Sequence, residues 1–418
     1  MRNLIQLTSI VGLLVSGPAL AQDYPGRQAA ALRYLATSAD REEQVMIPMR
    51  DGIRLASLIL FPKDAPRRGL PAVVFRSPYL IEPNEVERFS VFVESLLRNG
   101  YAAVFQSVRG RYFSEGTYRY LIGSGDDGYD TVDWIVKQPW SNGKVGALGC
   151  SSTAEEQLEL NARGHPALAA IVPMGPGAGI GRVGPYNEMG NFYRGGAIQP
   201  LWLAWYHGAG YRYRPQFPAN LPRETLIRLA KFWNIEPNLN PPSRLDSLIW
   251  TLPFNQIMAK MMGPPSDFDD FVNRLPNDPR WRETEFGGEG DAGHAPMLMI
   301  NSWYDVSIGP NVAFYQYQKE HAATAAARDH SAMVIGPTPH CAMGKVESER
   351  TVVGRRDLGD ARFDYFGLVQ RWFDHFLKGV ENGATREPKV RAYLMGANQW
   401  RSYAAWPVPE ATPVSYYL

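Results

Sequence analysis

Val145-Gly146-Ala147-Leu148-Gly149-Cys150-Ser151-Ser152 is the stretch whose reading decides the fold. Val145–Leu148 is short and apolar, as a buried strand is, and the run from Ser152 to about Ala162 has helical character. A strand that enters a helix through a tight, glycine-containing turn exposes the serine of that turn at the sheet edge, the context of a nucleophile elbow. The G-x-S-x-G pattern is incomplete here, because Thr153 occupies its last glycine position. On this stretch alone the commoner reading of Ser151 is a helix N-cap.

The flanking sequence repeats the strand–helix alternation. Gln44–Pro48 and Ile53–Phe61 surround Arg50-Asp51-Gly52 and predict a β-hairpin. Ala72–Arg76, Ala102–Gln106 and Ala169–Pro173 read as strands. Glu85–Arg98, closed by Asn99-Gly100, and Asp126–Lys137, acidic in its first turn, read as helices. The rhythm resumes with strand Met297–Ile300, helix Asn311–Glu320, strand Ala332–Ile335 and amphipathic helix Phe363–Leu377. The fold class this predicts is α/β: a doubly wound, mostly parallel sheet with helices on both faces. Residues 181–294, rich in Pro, Gly and aromatics, break the rhythm and read as an inserted, mainly helical cap. The expected organisation is a leader at 1–21, core at 22–180, cap at 181–294, core again at 295–387, and a β segment at 388–418.

Composition narrows the partners. The balance of 43 Lys+Arg against 42 Asp+Glu, with no basic run, argues against nucleic acid. Two cysteines without a CxxC, and seven scattered histidines without HExxH, predict neither metal nor other cofactor. Arg2, the apolar stretch Ile10–Val15 and Ala19-Leu20-Ala21 fit a secretory signal peptide cleaved before Gln22. With no later run long enough to span a bilayer, the expected location is periplasmic or secreted.

Two further segments give Ser151 chemical meaning. Met297-Leu298-Met299-Ile300-Asn301-Ser302-Trp303-Tyr304-Asp305 is a strand ending in an acid, and Met333-Val334-Ile335-Gly336-Pro337-Thr338-Pro339-His340 is a strand ending in a loop histidine. Open α/β sheets build their sites at such carboxyl ends. An isolated acid there is ordinarily a turn residue, and an isolated histidine a solvated one. The order Ser151, Asp305, His340 is that of α/β-hydrolase triads. Cys150 precedes the serine and Cys341 follows the histidine. A nucleophile and its base must meet, so their neighbours come within reach of a disulfide; the alternative is two buried thiols.

At this point the chain resembles the cocaine esterase and X-prolyl dipeptidyl peptidase superfamily, which includes glutaryl acylases and α-amino-acid ester hydrolases. The resemblance runs from Gln44 to Trp406. It is carried by Ile47-Pro48-Met49-Arg50-Asp51-Gly52, Arg76-Ser77-Pro78-Tyr79, Gln106-Ser107-Val108-Arg109-Gly110-Arg111, Ser114-Glu115-Gly116 and Asp127-Gly128-Tyr129-Asp130 with Trp134, besides the three site segments. It implies that Ser151 is the nucleophile, His340 the general base and Asp305 the orienting acid. It also implies an oxyanion hole formed by the Tyr79 hydroxyl and the backbone N–H of Ser152. Without it, Tyr79 reads as a core or turn aromatic after Pro78. Ser152 stands where the family often has an aromatic, Ala154 replaces a glycine, and Ser107 replaces an aspartate. The cysteine placement is similar to that of tannases and fungal-type feruloyl esterases, where a disulfide joins the two neighbours of the catalytic pair.

The resemblance also bears on the ends and the cap. Val390–Met395 and Trp400–Pro407 look like the opening of the family's jelly-roll, which 388–418 is too short to complete. Tyr186, Phe192, Trp202, Trp205 and Tyr206 read either as cap packing or as an aromatic pocket wall. Asp267, Asp269 and Asp270 read as a solvated helix end, with a substrate ammonium as the alternative use. The implied partner is a small-molecule ester or amide. Release of X-Pro dipeptides and non-catalytic binding remain as competing readings.

Overall fold

The alternation folds into one ten-stranded sheet. The structure, a computed structural model, describes residues 24–63, 66–177, 181–183, 186–188, 193–194, 197–211, 222, 224–225, 250–260, 266–285, 291–346, 348–412 and 414–417. The expected leader at 1–21 lies outside them. Among the described residues no helix is long and apolar enough to cross a membrane.

The sheet strands are β1 Ala39–Pro48, β2 Arg54–Pro62, β3 Leu70–Ser77, β4 Ala102–Ser107, β5 Ser141–Cys150, β6 Leu168–Met174, β7 Leu298–Ser302, β8 Ala332–Gly336, β9 Val390–Leu394 and β10 Gln399–Tyr403. Their spatial order is β1-β2-β4-β3-β5-β6-β7-β8-β9-β10. All pairs from β4 to β9 are parallel. β2 is antiparallel to both its neighbours, and β10 to β9. The hairpin predicted around Arg50-Asp51-Gly52 is β1–β2, with Pro48 opposite Arg54.

Every residue of β3 and β4 is buried, which is why they read as unbroken apolar runs. Successive side chains go to opposite faces. Ala72, Val74, Val104, Ala147 and Ile171 face one layer, with α3 (Ser124–Val136), α4 (Ser152–Ala162) and α6 (Ile308–His321). Val73, Phe75, Phe105, Leu148 and Val172 face the other, with α2 (Val86–Arg98) and α7 (Tyr365–Lys378). Helix α1 (Tyr24–Ser38) was not legible in the sequence; it buries only Ala31 and Leu35, too few for a periodic stripe.

The strand expected at Val390–Met395 forms as β9, and it pairs with β8 in the core sheet. Residues 388–403 thus extend that sheet, with Val390 and Ala392 buried in its core. The cap is mixed where it is described. Two small hairpins, Gly181–Val183 with Tyr186–Glu188 and Tyr193–Arg194 with Ala197–Ile198, precede α5 (Pro200–Gly208) and several short helical turns.

The segments that carried the family resemblance act as electrostatic staples. Arg50 grips Asp130 through Nε and Nη2, and Arg109 bridges Asp127 and Asp51 at 2.5 and 2.7 Å. Arg109 keeps both acids although Ser107 stands two residues before it.

Helix α4 is enclosed on nearly all sides, so its glutamates are buried too. Glu156 is 3.1 Å from Arg76 and accepts the Ser124 hydroxyl. Burial pushes the Glu159 carboxyl from 4.5 up to about 8, against the nearby Arg163. Its folded pKa lies above its unfolded one, so its contribution to stability is complete below pH 4.5 and is lost as pH rises towards 8. Glu159→Gln is therefore expected to raise Tm by roughly 2 °C at pH 8.5. The gain should vanish near pH 5 in calorimetric scans; an equal shift at both pH values would contradict this role.

Candidate active site

Ser151 lies between β5 and α4 with φ 62° and ψ −131°, a conformation rare outside glycine. Three contacts hold it. Its N–H donates to Met174 O at the end of β6 (3.0 Å), and its carbonyl accepts from Ala154 and Glu155 in the first turn of α4. Gly149 lets that helix approach: a Cβ there would stand 2.4 Å from Thr153 Cγ2. Thr153, which breaks the glycine pattern, has a use of its own. Its hydroxyl donates to buried Glu85 at 3.0 Å, and the same oxygen accepts Ser77 Oγ at 3.1 Å. Ser77 Oγ in turn accepts the Tyr79 N–H at 3.0 Å. One carboxylate thereby ties the elbow to the Tyr79 turn. Burial raises its pKa, with Arg88 and the two hydroxyls opposing.

Asp305 follows β7 and His340 follows β8, as their sequence placement predicts. His340 Nδ1 lies 2.6 Å from Asp305 Oδ2. The acid's side chain is fully buried, and its other oxygen accepts the Ser307 N–H (3.1 Å) and hydroxyl (2.9 Å). With Nδ1 facing the acid, Nε2 is the ring nitrogen left for another partner. Gly175, at φ +46°, makes room for the pair: a Cβ there would lie 2.8 Å from Asp305 Oδ2. Gly175 directly follows Met174, whose carbonyl holds Ser151. A disulfide joins Cys150 to Cys341, Cα to Cα 5.9 Å, between the neighbours of Ser151 and His340.

The Tyr79 hydroxyl accepts the Trp205 indole N–H at 3.1 Å. The Ser151 side chain is a second polar neighbour. Burial pushes the phenol's pKa up, so it is a neutral O–H donor. Ser152 opens α4, so its N–H is among the first-turn amides that no intrahelical carbonyl takes. Arg111 braces the Tyr79 turn: Nε donates to Pro78 O and Nη1 to Tyr211 O of the cap, both at 2.8 Å.

Of the aromatic candidates, Trp202 and Trp205 are partly buried beside Tyr120, with ring centroids 5.7 and 5.3 Å away. Tyr206 is fully enclosed by Trp205, Phe268 and Phe271, which makes it a packing residue of the cap. Tyr186 lies in a short hairpin, and Phe192 falls outside the described residues. Asp267 is not a solvated helix end. It is fully buried, bound to Arg119 (2.6 Å) and the Tyr120 N–H (2.7 Å). Asp270 serves Arg274 and Arg280. No cluster of His, Cys, Asp or Glu suited to a metal occurs among the described residues. Sequence reasoning missed Ser307, Gly175 and Glu85, and read Arg111 only as part of a family segment. Ser307 carried a local signal, a residue two past the acid and able to close a turn on it.

A mostly parallel sheet in this order, with the strand–turn–helix serine and a histidine–aspartate pair at neighbouring strand ends, defines an α/β-hydrolase fold. The chain belongs to the X-Pro dipeptidyl-peptidase (S15) family, which residues 51–342 match. Residues 382–418 match the X-Pro dipeptidyl-peptidase C-terminal non-catalytic domain. The cocaine esterase of Rhodococcus sp. (strain MB1 Bresler) is 27% identical over 385 residues, covering 90% of this chain and 61% of that protein. Two solved structures share the fold. An aminopeptidase from a marine sediment archaeon, Thaumarchaeota archaeon, has a TM-score of 0.60 and 24% identity, over 89% of this chain and 60% of its own. An α-amino acid ester hydrolase has a TM-score of 0.57 and 22% identity, over 96% and 62%. The chain thus spans about three fifths of the length of these relatives.

The disulfide yields a prediction. Reducing Cys150–Cys341 should lower turnover of a p-nitrophenyl ester by roughly tenfold or more, since small misplacements of a base are costly. The loss should precede the collapse of the near-UV circular dichroism signal in a reductant titration. Full turnover with both thiols titrated free would contradict it.

Proposed function

We propose that this protein is a serine hydrolase that cleaves a carboxylic ester, or an amide, through an acyl-enzyme. The observation that carries the reading is the 2.6 Å contact between His340 and buried Asp305, bonded through Cys341 and Cys150 to the strained Ser151 turn. Ser151 Oγ attacks the substrate carbonyl while His340 Nε2 takes its proton. Asp305 holds the imidazole tautomer and steadies the imidazolium. The Tyr79 hydroxyl and the Ser152 N–H donate to the oxyanion. Collapse of the tetrahedral adduct expels the alcohol or amine, which takes the proton from His340. Water then attacks the acyl-enzyme by the same route in reverse. The high phenol pKa of Tyr79 suits this use, because a phenolate could not donate.

We further propose that the protein is exported. Arg2, the Ile10–Val15 stretch and Ala19-Leu20-Ala21 support it, and the disulfide suits an oxidising compartment.

The family match favours a second reading, release of X-Pro dipeptides. That activity needs a carboxylate for the substrate's free amine. Among the described residues, the cap acids Asp267 and Asp270 are held by arginines, so neither is presented to an amine. Ester cleavage therefore stands first.

Two measurements test the proposal. Ser151→Ala should lower kcat/KM on a p-nitrophenyl ester by about a thousandfold or more, as loss of a nucleophile does. Activity near wild type would overturn the assignment. Ala-Pro-anilide and its N-acylated form should be cleaved at similar rates; a preference of about a hundredfold for the free amine, some 2.7 kcal/mol, would transfer the assignment to the dipeptidyl peptidase.

A further inference from the structure

We infer that Trp205 is a positioning residue of the oxyanion hole, whose indole N–H sets the direction in which the Tyr79 hydroxyl donates. The inference rests on the proposed role of Tyr79 and extends it to the cap.

An indole N–H only donates, whereas a phenol has one O–H and two lone pairs. Trp205 Nε1 lies 3.1 Å from the Tyr79 oxygen and fills one lone pair. The Tyr79 proton must then turn away from the indole. The Ser151 side chain is a polar neighbour of the same hydroxyl. In the reaction, the oxygen that develops charge is attached to the carbon that Ser151 attacks, so the same direction serves it. A hydroxyl that accepts one hydrogen bond also donates the next one more strongly.

The indole has little freedom. Gly210 lies against its six-membered ring: a Cβ there would be 2.1 Å from Cζ3 and 2.5 Å from Cε3 of Trp205. The N–H groups of Ala209 and Gly210 both close on the Trp205 carbonyl, at 2.7 and 2.8 Å. Tyr120, Trp202 and Tyr206 surround the ring with centroids 5.1 to 5.4 Å away. A donor locked by packing holds its partner more tightly than a mobile one.

The two partners come from different parts of the fold. Tyr79 lies between β3 and α2 of the core, and Trp205 on α5 of the cap. Arg111 spans the same junction, from Pro78 O to Tyr211 O. The oxyanion hole is therefore shared between core and cap. If Trp205 were only a pocket wall, its loss would act on KM. If it positions Tyr79, its loss acts on kcat, and only while Tyr79 keeps its hydroxyl.

A double-mutant cycle on a p-nitrophenyl ester separates these cases. Tyr79→Phe should lower kcat roughly a hundredfold, the usual effect of losing one oxyanion donor. Trp205→Phe, which keeps an aromatic ring and removes the N–H, should lower kcat by about three- to tenfold, as loss of one neutral hydrogen bond does. Its KM should stay within a factor of about two, because uniform binding is untouched. In the Tyr79→Phe background Trp205→Phe should have no further effect. Gly210→Ala, which displaces the indole without altering it, should lower kcat in the wild type and be silent in the same background. The inference is overturned if Trp205→Phe costs as much without the Tyr79 hydroxyl as with it, or if it changes KM alone. A Tyr79→Phe variant with wild-type kcat would instead remove the oxyanion reading itself, and that single variant tells the two failures apart.

Discussion

The backbone at Ser151 is the constraint around which the site is organised. A serine at φ 62° and ψ −131° is strained by about 1–3 kcal/mol and persists only where its surroundings impose it. Here they do so from four sides. β6 supplies the Met174 carbonyl, Gly149 admits the helix, and Thr153 anchors that helix to Glu85. The disulfide fixes the preceding residue to the histidine loop. The incomplete glycine pattern is explained in the same terms. Where a glycine would only allow close packing, Thr153 fills the space over Gly149 and adds a buried hydrogen bond.

Asp305 and His340 come from the second half of the core, after the cap has intervened. Parallel register brings them back, since β6, β7 and β8 are neighbours whose carboxyl ends face the same way. The Cys150–Cys341 bond closes a loop with a sequence separation of 191 residues. Loop-closure entropy alone would give it about 5 kcal/mol, an upper range that strain and residual structure reduce. Its placement suggests a more local effect. It shortens the covalent path from Ser151 to His340 to two residues and one bond, which limits how far the two can separate.

The elements that sequence reading located are those with a strong local signature. β3 and β4 are buried on both faces, α2 and α7 carry apolar stripes, and Ser151, Asp305 and His340 lie just beyond the carboxyl ends of their strands. What stayed hidden depends on contacts between distant segments. Trp205 and Tyr79 are 126 positions apart, Asp267 and Arg119 148, and Arg111 and Tyr211 100. A tryptophan in an aromatic-rich cap gives no sign of where its N–H points, and an aspartate in an acidic cluster looks solvated until an arginine arrives. β9 was legible as a strand, but its pairing with β8 was not, because a strand's sequence does not name its neighbour.

The most direct test of the central claim is chemical. The intact protein would be treated with a fluorophosphonate, digested and mapped by mass spectrometry, with His340→Ala treated in parallel. One phosphonate on Ser151 in the wild type, and little or none in the His340→Ala protein over the same time, is the result this account predicts. A wild-type protein that stays unlabelled, or that carries its label on another residue, would contradict it.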